Sequence, residues 1–257
     1  MTQAETKRRD KGSSIVRVLE IIEAIGQAER PLSPTDLALQ LNIPKPSVHR
    51  LLQQLEAERF VQMDMRGAWI AGSRLRSMSL SILASDHSKT ARQAILNDLA
   101  ETIGETCGIA VPDGTHMLYF DRVQTNWPLQ INLPVGTHTP IWCTSSGKLY
   151  LSTLPDEERH KILSHLSLTK HARNTLTDSE SLEFALQKIR TQGFGIDNEE
   201  FVDGMVACSV PIRHRNGRML ASLFTHCPVI RKSLDELTRF VPALKKAAKE
   251  LEEIINE

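Results

Sequence analysis

The stretch Thr144-Ser145-Ser146-Gly147 stands directly before an apolar run, KLYLSTL. Small hydroxyl residues ahead of such a run predict a helix opening there. The first backbone N–H groups of a helix have no carbonyl partner within it, so the turn is a ready site for an anion. A second stretch with chemical potential lies earlier, in NIPKPSVHRLLQQLEA. From Pro46, Val48, Leu51, Leu52 and Leu55 recur at helical spacing and must face a core. The opposite face receives Arg50, Gln53 and Ala57, flanked by Ser47, His49 and Gln54.

That outward face suits a DNA groove. Arg50 can donate two parallel hydrogen bonds to guanine O6 and N7, and Ser47 and His49 can reach neighbouring base edges or phosphates. Lys45, Gln53, Arg66 and a basic arm (Lys7, Arg8, Arg9, Lys11) suit phosphates, which position a protein without reading sequence. Arg59, Arg74 and Arg76 add to the basic residues around the helical pair.

The elements that must hold these residues follow from periodicity and punctuation. Residues 14–28 predict a helix, with Val18, Leu19, Ile22 and Ile25 on one face. Ser33 reads as an N-cap with Pro34 at the first helical position, and Leu37, Leu39 and Leu41 keep that helix apolar until Asn42. Lys45 precedes a proline and is expected just outside the next helix. Two short strands around Met65-Arg66-Gly67 complete three helices and a hairpin, the order of a winged helix-turn-helix. A Ser-rich helix with a Leu75, Met78, Ile82 stripe reads as a linker, and its apolar stripe suggests a dimer contact.

Beyond residue 88 the pattern turns to mixed helix and strand. A helix runs to Glu105, a hairpin turns at Pro112-Asp113-Gly114, and LQINL reads as a strand. Helices are expected over roughly 155–166 and 178–192, strands at MVACSVPIR and RMLASLFTH, and one amphipathic helix over 233–255. The division is therefore a basic arm at 1–12, a winged helix-turn-helix at 13–72, a linker helix at 73–88 and a second domain at 89–257. The fold class is α+β.

Composition narrows the function. The 257 residues carry zero net charge, so no global basic field marks a nucleic-acid binder. Residues 1–87 hold twelve Lys/Arg against ten Asp/Glu, and the remainder nineteen against twenty-one. No membrane-length apolar run and no secretory signal are visible, which makes the cytoplasm the expected location. Cys107, Cys143, Cys208 and Cys227 form no Cys-x-x-Cys pair, so four reduced, mostly buried thiols are expected. Enzyme signatures fail as well. A phosphate loop needs glycine where Trp142 stands, and Gly193-Phe194-Gly195 lacks the third glycine of a dinucleotide fingerprint. No Gly-x-Ser-x-Gly or His-Glu-x-x-His occurs. A metal sensor built on Cys208, His226 and Cys227 meets the alternation of strands, which sends His226 and Cys227 to opposite faces. No catalytic residue, cofactor or metal is expected.

SIVRVLEII and LSPTDLALQLNIPKPSVHRLLQQLEAERFV resemble the DNA-binding domain of the IclR family of bacterial transcription regulators. LPVGTHTPIWCTSSGKLYLS, GFGIDNEEFVDGMVACSVPI and LFTHCPVIR follow in that family's order and spacing, so the resemblance covers nearly the whole chain. It implies a winged helix-turn-helix joined by a helix to a GAF-like effector domain, as a homodimer or homotetramer on a double-stranded operator. It also implies a carboxylate effector on the amides of Ser145 and Ser146. By the same mapping Asp197, Ala207 or Cys208, Phe224 and His226 line the pocket, with Trp142 just before the turn. Ala207 stands where some members have cysteine, and Phe224 and His226 where some have serine. These changes point to a more aromatic lining and a bulkier or aromatic acid. Beside an anion, Asp197 suits a hydroxyl or hydrated keto group better than a carboxylate. Such a regulator is expected to shift the spacing of its two DNA readers on binding the acid.

Overall fold

The computed structural model describes residues 14–28, 30–83 and 86–256. The chain forms two compact units that divide after residue 85. The basic arm lies outside the described residues.

The first unit holds α1 (Ser14–Gln27), α2 (Pro34–Leu41), α3 (Lys45–Ala57), the strands β1 (Val61–Met63) and β2 (Trp69–Ala71), and α4 (Ser73–Leu83). Ser33 starts α2 through a capping box: its hydroxyl accepts from the Asp36 amide at 3.1 Å, and its own amide donates to Asp36 at 2.9 Å. Asn42 ends α2 in the left-handed region, at φ 53°. Ile21, Leu37, Val48, Leu52 and Trp69 meet in one core.

Three readings of this unit need correction. Leu39 is 79% exposed while Leu37 is fully buried, because residues two apart on a helix lie on nearly opposite faces. Leu19 is likewise exposed; the buried stripe of α1 is Ile21, Ala24 and Ile25. Lys45 is the first residue of α3, with Pro44 as the cap, since a proline at the second helical position leaves the first turn intact.

The second unit is built on an antiparallel sheet of six strands: β3 (Thr106–Asp113), β4 (His116–Val123), β5 (His138–Pro140), β6 (Gly195–Asn198), β7 (Met205–Arg213) and β8 (Met219–Pro228). Their order is β5-β4-β3-β8-β7-β6. Cys107, Ile109, Val206, Cys208, Val210, Leu223 and Cys227 point to one face, onto α5 (Asp86–Ile103), α9 (Leu234–Thr238) and α10 (Val241–Asn256). Ala110, Met117, Tyr119 and Phe224 point to the other, toward α6 (Ser145–Thr153), α7 (Asp156–His165) and α8 (Ser179–Gln192). Strand alternation thus makes one face a helix-covered core and the other the floor beneath α6.

Two expected elements differ here. LQINL forms no strand; the Arg122 guanidinium donates to the carbonyls of Leu133 at 2.5 Å and Ile131 at 3.3 Å, in place of a ladder. The last helix is two, because Pro242 cannot donate to the preceding turn and its ring crowds the carbonyl four residues back. All four cysteines are free and buried. Among the described residues, no helix is long and apolar enough to cross a membrane, and no cluster of three or more His, Cys, Asp or Glu could hold a metal ion.

Candidate functional site

In the first unit, α3 buries Val48, Leu51, Leu52 and Leu55 and turns Lys45, His49, Arg50 and Gln53 to solvent. Ser47 is half-buried, and its amide donates to the Pro44 carbonyl at 2.8 Å. Arg66 is exposed at the tip of the β1–β2 hairpin, which Asp64 shapes by accepting from the amides of Arg66 and Ala68, both at 2.9 Å. Two other arginines serve the unit itself. Arg74 pairs with Glu58 and lies 4.6 Å over the Phe60 ring, while Arg76 donates to the Ala71 carbonyl at 2.6 Å.

In the second unit, α6 opens with Thr144 as N-cap. Its hydroxyl donates to the Pro140 carbonyl at 2.8 Å and accepts from the Gly147 amide at 3.2 Å. Ser145 and Ser146 therefore lead the helix with amides that no carbonyl within it can reach. Their turn is held against the sheet. A Cβ on Gly195 would sit 2.2 Å from the Ser145 carbonyl oxygen, and the Ser222 hydroxyl donates to the Ser146 hydroxyl at 3.0 Å.

The floor beneath is set by register. Asp197 of β6 pairs with Ala207 of β7, and Ala207 pairs with His226 of β8. The three share one row, with only the Ala207 methyl between a carboxylate and an imidazole. The next row runs Gly195, Ser209, Phe224, Gly108 and Arg122. Gly108 lets the Phe224 ring lie flat across β3, since a Cβ there would come 2.6 Å from the ring. Phe224 packs 4.5 Å from the Tyr119 ring and stacks 5.8 Å from His226, centre to centre.

Polar groups on this floor are buried and unsatisfied. Among the described residues, Asp197 Oδ2, the Ser209 hydroxyl, both ring nitrogens of His226, Trp142 Nε1 and Arg122 Nε find no hydrogen-bond partner. Buried polar atoms are nearly always paired, so five such side chains on one face and its rim make this the candidate site. Asp197 Oδ1 is satisfied by the Glu200 amide at 2.8 Å. Burial pushes the Asp197 carboxyl up to about 7, against the pull of Lys148, and Glu200 raises it further. Burial, then the Arg122 charge, drives His226 down to about 3, so the ring is neutral at physiological pH. Lys148 is buried with its ammonium on both Glu200 oxygens, which commits the nearest cation to another carboxylate.

Trp142, Ser145, Ser146, Asp197, Ala207, Phe224 and His226 are thus brought together around the start of α6. Cys208 is not. Strand alternation turns it to the opposite face, where its thiol lies 3.8 Å from the Leu237 carbonyl. Sequence reasoning missed Ser209, Tyr119 and Arg122. Ser209 was findable, lying two residues from Ala207 and so on the same face; Arg122 needed the β3–β4 register.

The chain is similar to known proteins along nearly its whole length. The model of the bacterial transcriptional regulator IclR C-terminal domain matches residues 81–253, and that of the IclR helix-turn-helix domain matches residues 14–64. The chain belongs to the IclR family of DNA-binding transcription regulators. It is 35% identical over 240 residues to "Probable transcriptional regulator SauR" of Cupriavidus necator, covering 93% of this chain and 95% of that one. The Thermotoga maritima IclR structure shares the fold, with a TM-score of 0.63 at 23% identity, over 95% of this chain and 98% of that chain. An inducer-binding domain of the Acinetobacter PobR transcription factor, solved as a double mutant with 3-hydroxybenzoic acid, aligns with a TM-score of 0.57 and 27% identity. That match covers 62% of this chain and 94% of the domain.

Proposed function

We propose that this chain is a transcription regulator whose hold on its operator is set by a small organic acid bound over the floor beneath α6. The observation that carries the reading is the set of buried, unpartnered polar atoms beside the amides that open the helix. An anion accepts from the Ser145 and Ser146 amides, favoured by the helix dipole. Phe224, His226, Tyr119 and Trp142 face its carbon body. These aromatic neighbours, and the hydroxybenzoic acid in the Acinetobacter domain, support an aromatic acid.

On the DNA side, Arg50 reads a base pair, Ser47 and His49 contact neighbouring edges, and Lys45, Gln53 and Arg66 hold phosphates. A dimer or tetramer presents two such helices to half-sites about 34 Å apart. The exposed Ile15, Val16 and Leu19 of α1 and Met78 of α4 supply apolar surface for that assembly. One site couples typically by about 1–3 kcal/mol, whereas reversing an equilibrium from 1:99 to 99:1 takes about 5.5, so several coupled sites are needed.

Fluorescence anisotropy on DNA from upstream of the chain's own gene tests this, across salt concentrations and with a panel of carboxylic acids. Salt-sensitive, competitor-resistant binding that one acid shifts supports the reading. Binding that no acid shifts rejects ligand control.

A further inference from the structure

The row Asp197–Ala207–His226 says more about the ligand than that it is an acid. Strands lie about 4.8 Å apart, so the carboxylate and the imidazole rise from backbone positions roughly 10 Å apart. Ala207, with only a methyl, is the one side chain between them in the row. Asp197 is fully buried and His226 is 2% exposed, and three of their four polar atoms are unpartnered. A plain monocarboxylate already has its partners in the Ser145 and Ser146 amides one row away, and its hydrocarbon tail would leave these atoms unsatisfied. A neutral imidazole offers one donor and one acceptor, and a carboxyl group accepts when ionised and donates when protonated. A hydroxyl both donates and accepts, so it is the small group able to satisfy either.

Resting on the ligand site proposed above, we infer that the effector is a hydroxylated acid, with its hydroxyl held between Asp197 and His226 and His226 as the residue that selects for it. The charged and titratable groups facing this row are Lys148 of α6, Glu200 beyond β6, Tyr119 and Arg122 of β4, and Cys143 ahead of α6. Lys148 and Glu200 engage each other, and burial pushes the Tyr119 and Cys143 groups upward, keeping them neutral. The Arg122 terminal nitrogens are taken by the Leu133 and Ile131 carbonyls, so within this row Asp197 and His226 are the side chains that meet the hydroxyl.

The test is isothermal titration calorimetry of the full chain with matched acids: benzoate against 3- and 4-hydroxybenzoate, and propionate against 2- and 3-hydroxypropionate. A site built to hydrogen-bond a hydroxyl rejects the analogue lacking it steeply, so the better hydroxylated partner should bind at least about 100-fold tighter. His226→Leu should collapse that ratio toward one, and His226→Gln, which keeps a donor and an acceptor, should preserve part of it. The ratio is read only on variants whose melting curve shows a folded chain. Hydroxylated and plain acids binding within about threefold would overturn the inference while leaving the acid site standing. An unchanged ratio in both variants would overturn the role of His226. If none of these acids binds, the site reading fails and the inference fails with it.

Discussion

Asp197 and His226 stand in one row of the sheet with Ala207 between them, each buried and each with unpartnered atoms. Burial moves their protonation in opposite senses, toward neutral forms in both cases. The carboxyl rises to about 7 and the imidazole falls to about 3.

The two should leave opposing marks on stability against pH. Between about pH 4 and 7 the folded Asp197 holds a proton that the unfolded chain has released, so its contribution falls as pH rises through that range. Between about pH 3 and 6.5 the unfolded His226 holds a proton that the folded ring lacks, so its contribution rises. In the wild type the slopes largely cancel from about pH 4 to 6.5. In urea titrations across that range, Asp197→Asn should make stability climb with pH relative to wild type, and His226→Phe should make it fall. Each difference should be a few kcal/mol at most. Parallel profiles for all three proteins would contradict these assignments.

Lys148 and Glu200 are buried and hold each other. Lys148→Met leaves Glu200 beside Asp197 with no counter-charge, at a cost of about 3–5 kcal/mol in chemical denaturation. Adding Glu200→Leu should recover most of that loss, since no lone charge is then left in the interior. A double variant as unstable as the single one would place the cost in packing instead.

Gly195 sits where a Cβ would meet the Ser145 carbonyl oxygen and the Leu149 side chain. Gly195→Ala should therefore push the start of α6 off the sheet. The expected loss is about 1–3 kcal/mol, together with weaker acid binding by calorimetry. Gly114→Ala, which has open space but φ +61°, serves as the comparison: it should cost stability without touching acid binding.

Arg50 is exposed on the outward face of α3. Arg50→Ala should weaken operator binding by roughly 1–3 kcal/mol and relax the preference at one base pair, whereas Arg66→Ala should weaken all sequences alike. Binding selections on randomised DNA with each variant distinguish the two. Uniform weakening by Arg50→Ala would make it a phosphate contact.

Much of this was legible because strong periodicity coincided with clear punctuation. The Ser33 cap, the Val48–Leu55 stripe and the turn before α6 each combine a local signal with a buried face. The errors arose where one signal stood alone. LQINL alternates like a strand, yet its carbonyls are met by Arg122, a partner that adjacent residues do not reveal. Gly195–Asn198 is a short edge strand carrying Asp197 onto the floor, set by its pairing with β7, which adjacent residues do not reveal. Leu39 has the right chemistry at the wrong angle. Of the pair Ala207 or Cys208 that the resemblance offers, strand alternation turns the Cys208 side chain to the opposite face. The row joining Asp197 to His226 is a property of register, which a single sequence does not state.

Acid on the floor beneath α6 and DNA on α3 should bias one equilibrium, and the acid's affinity, titrated by calorimetry with and without saturating operator, tests this. Linkage requires that the factor by which operator changes acid affinity equal the factor by which acid changes operator affinity. The expected factor is about 5–150, equal in both directions. An acid that binds identically with and without operator would show the two sites to be independent.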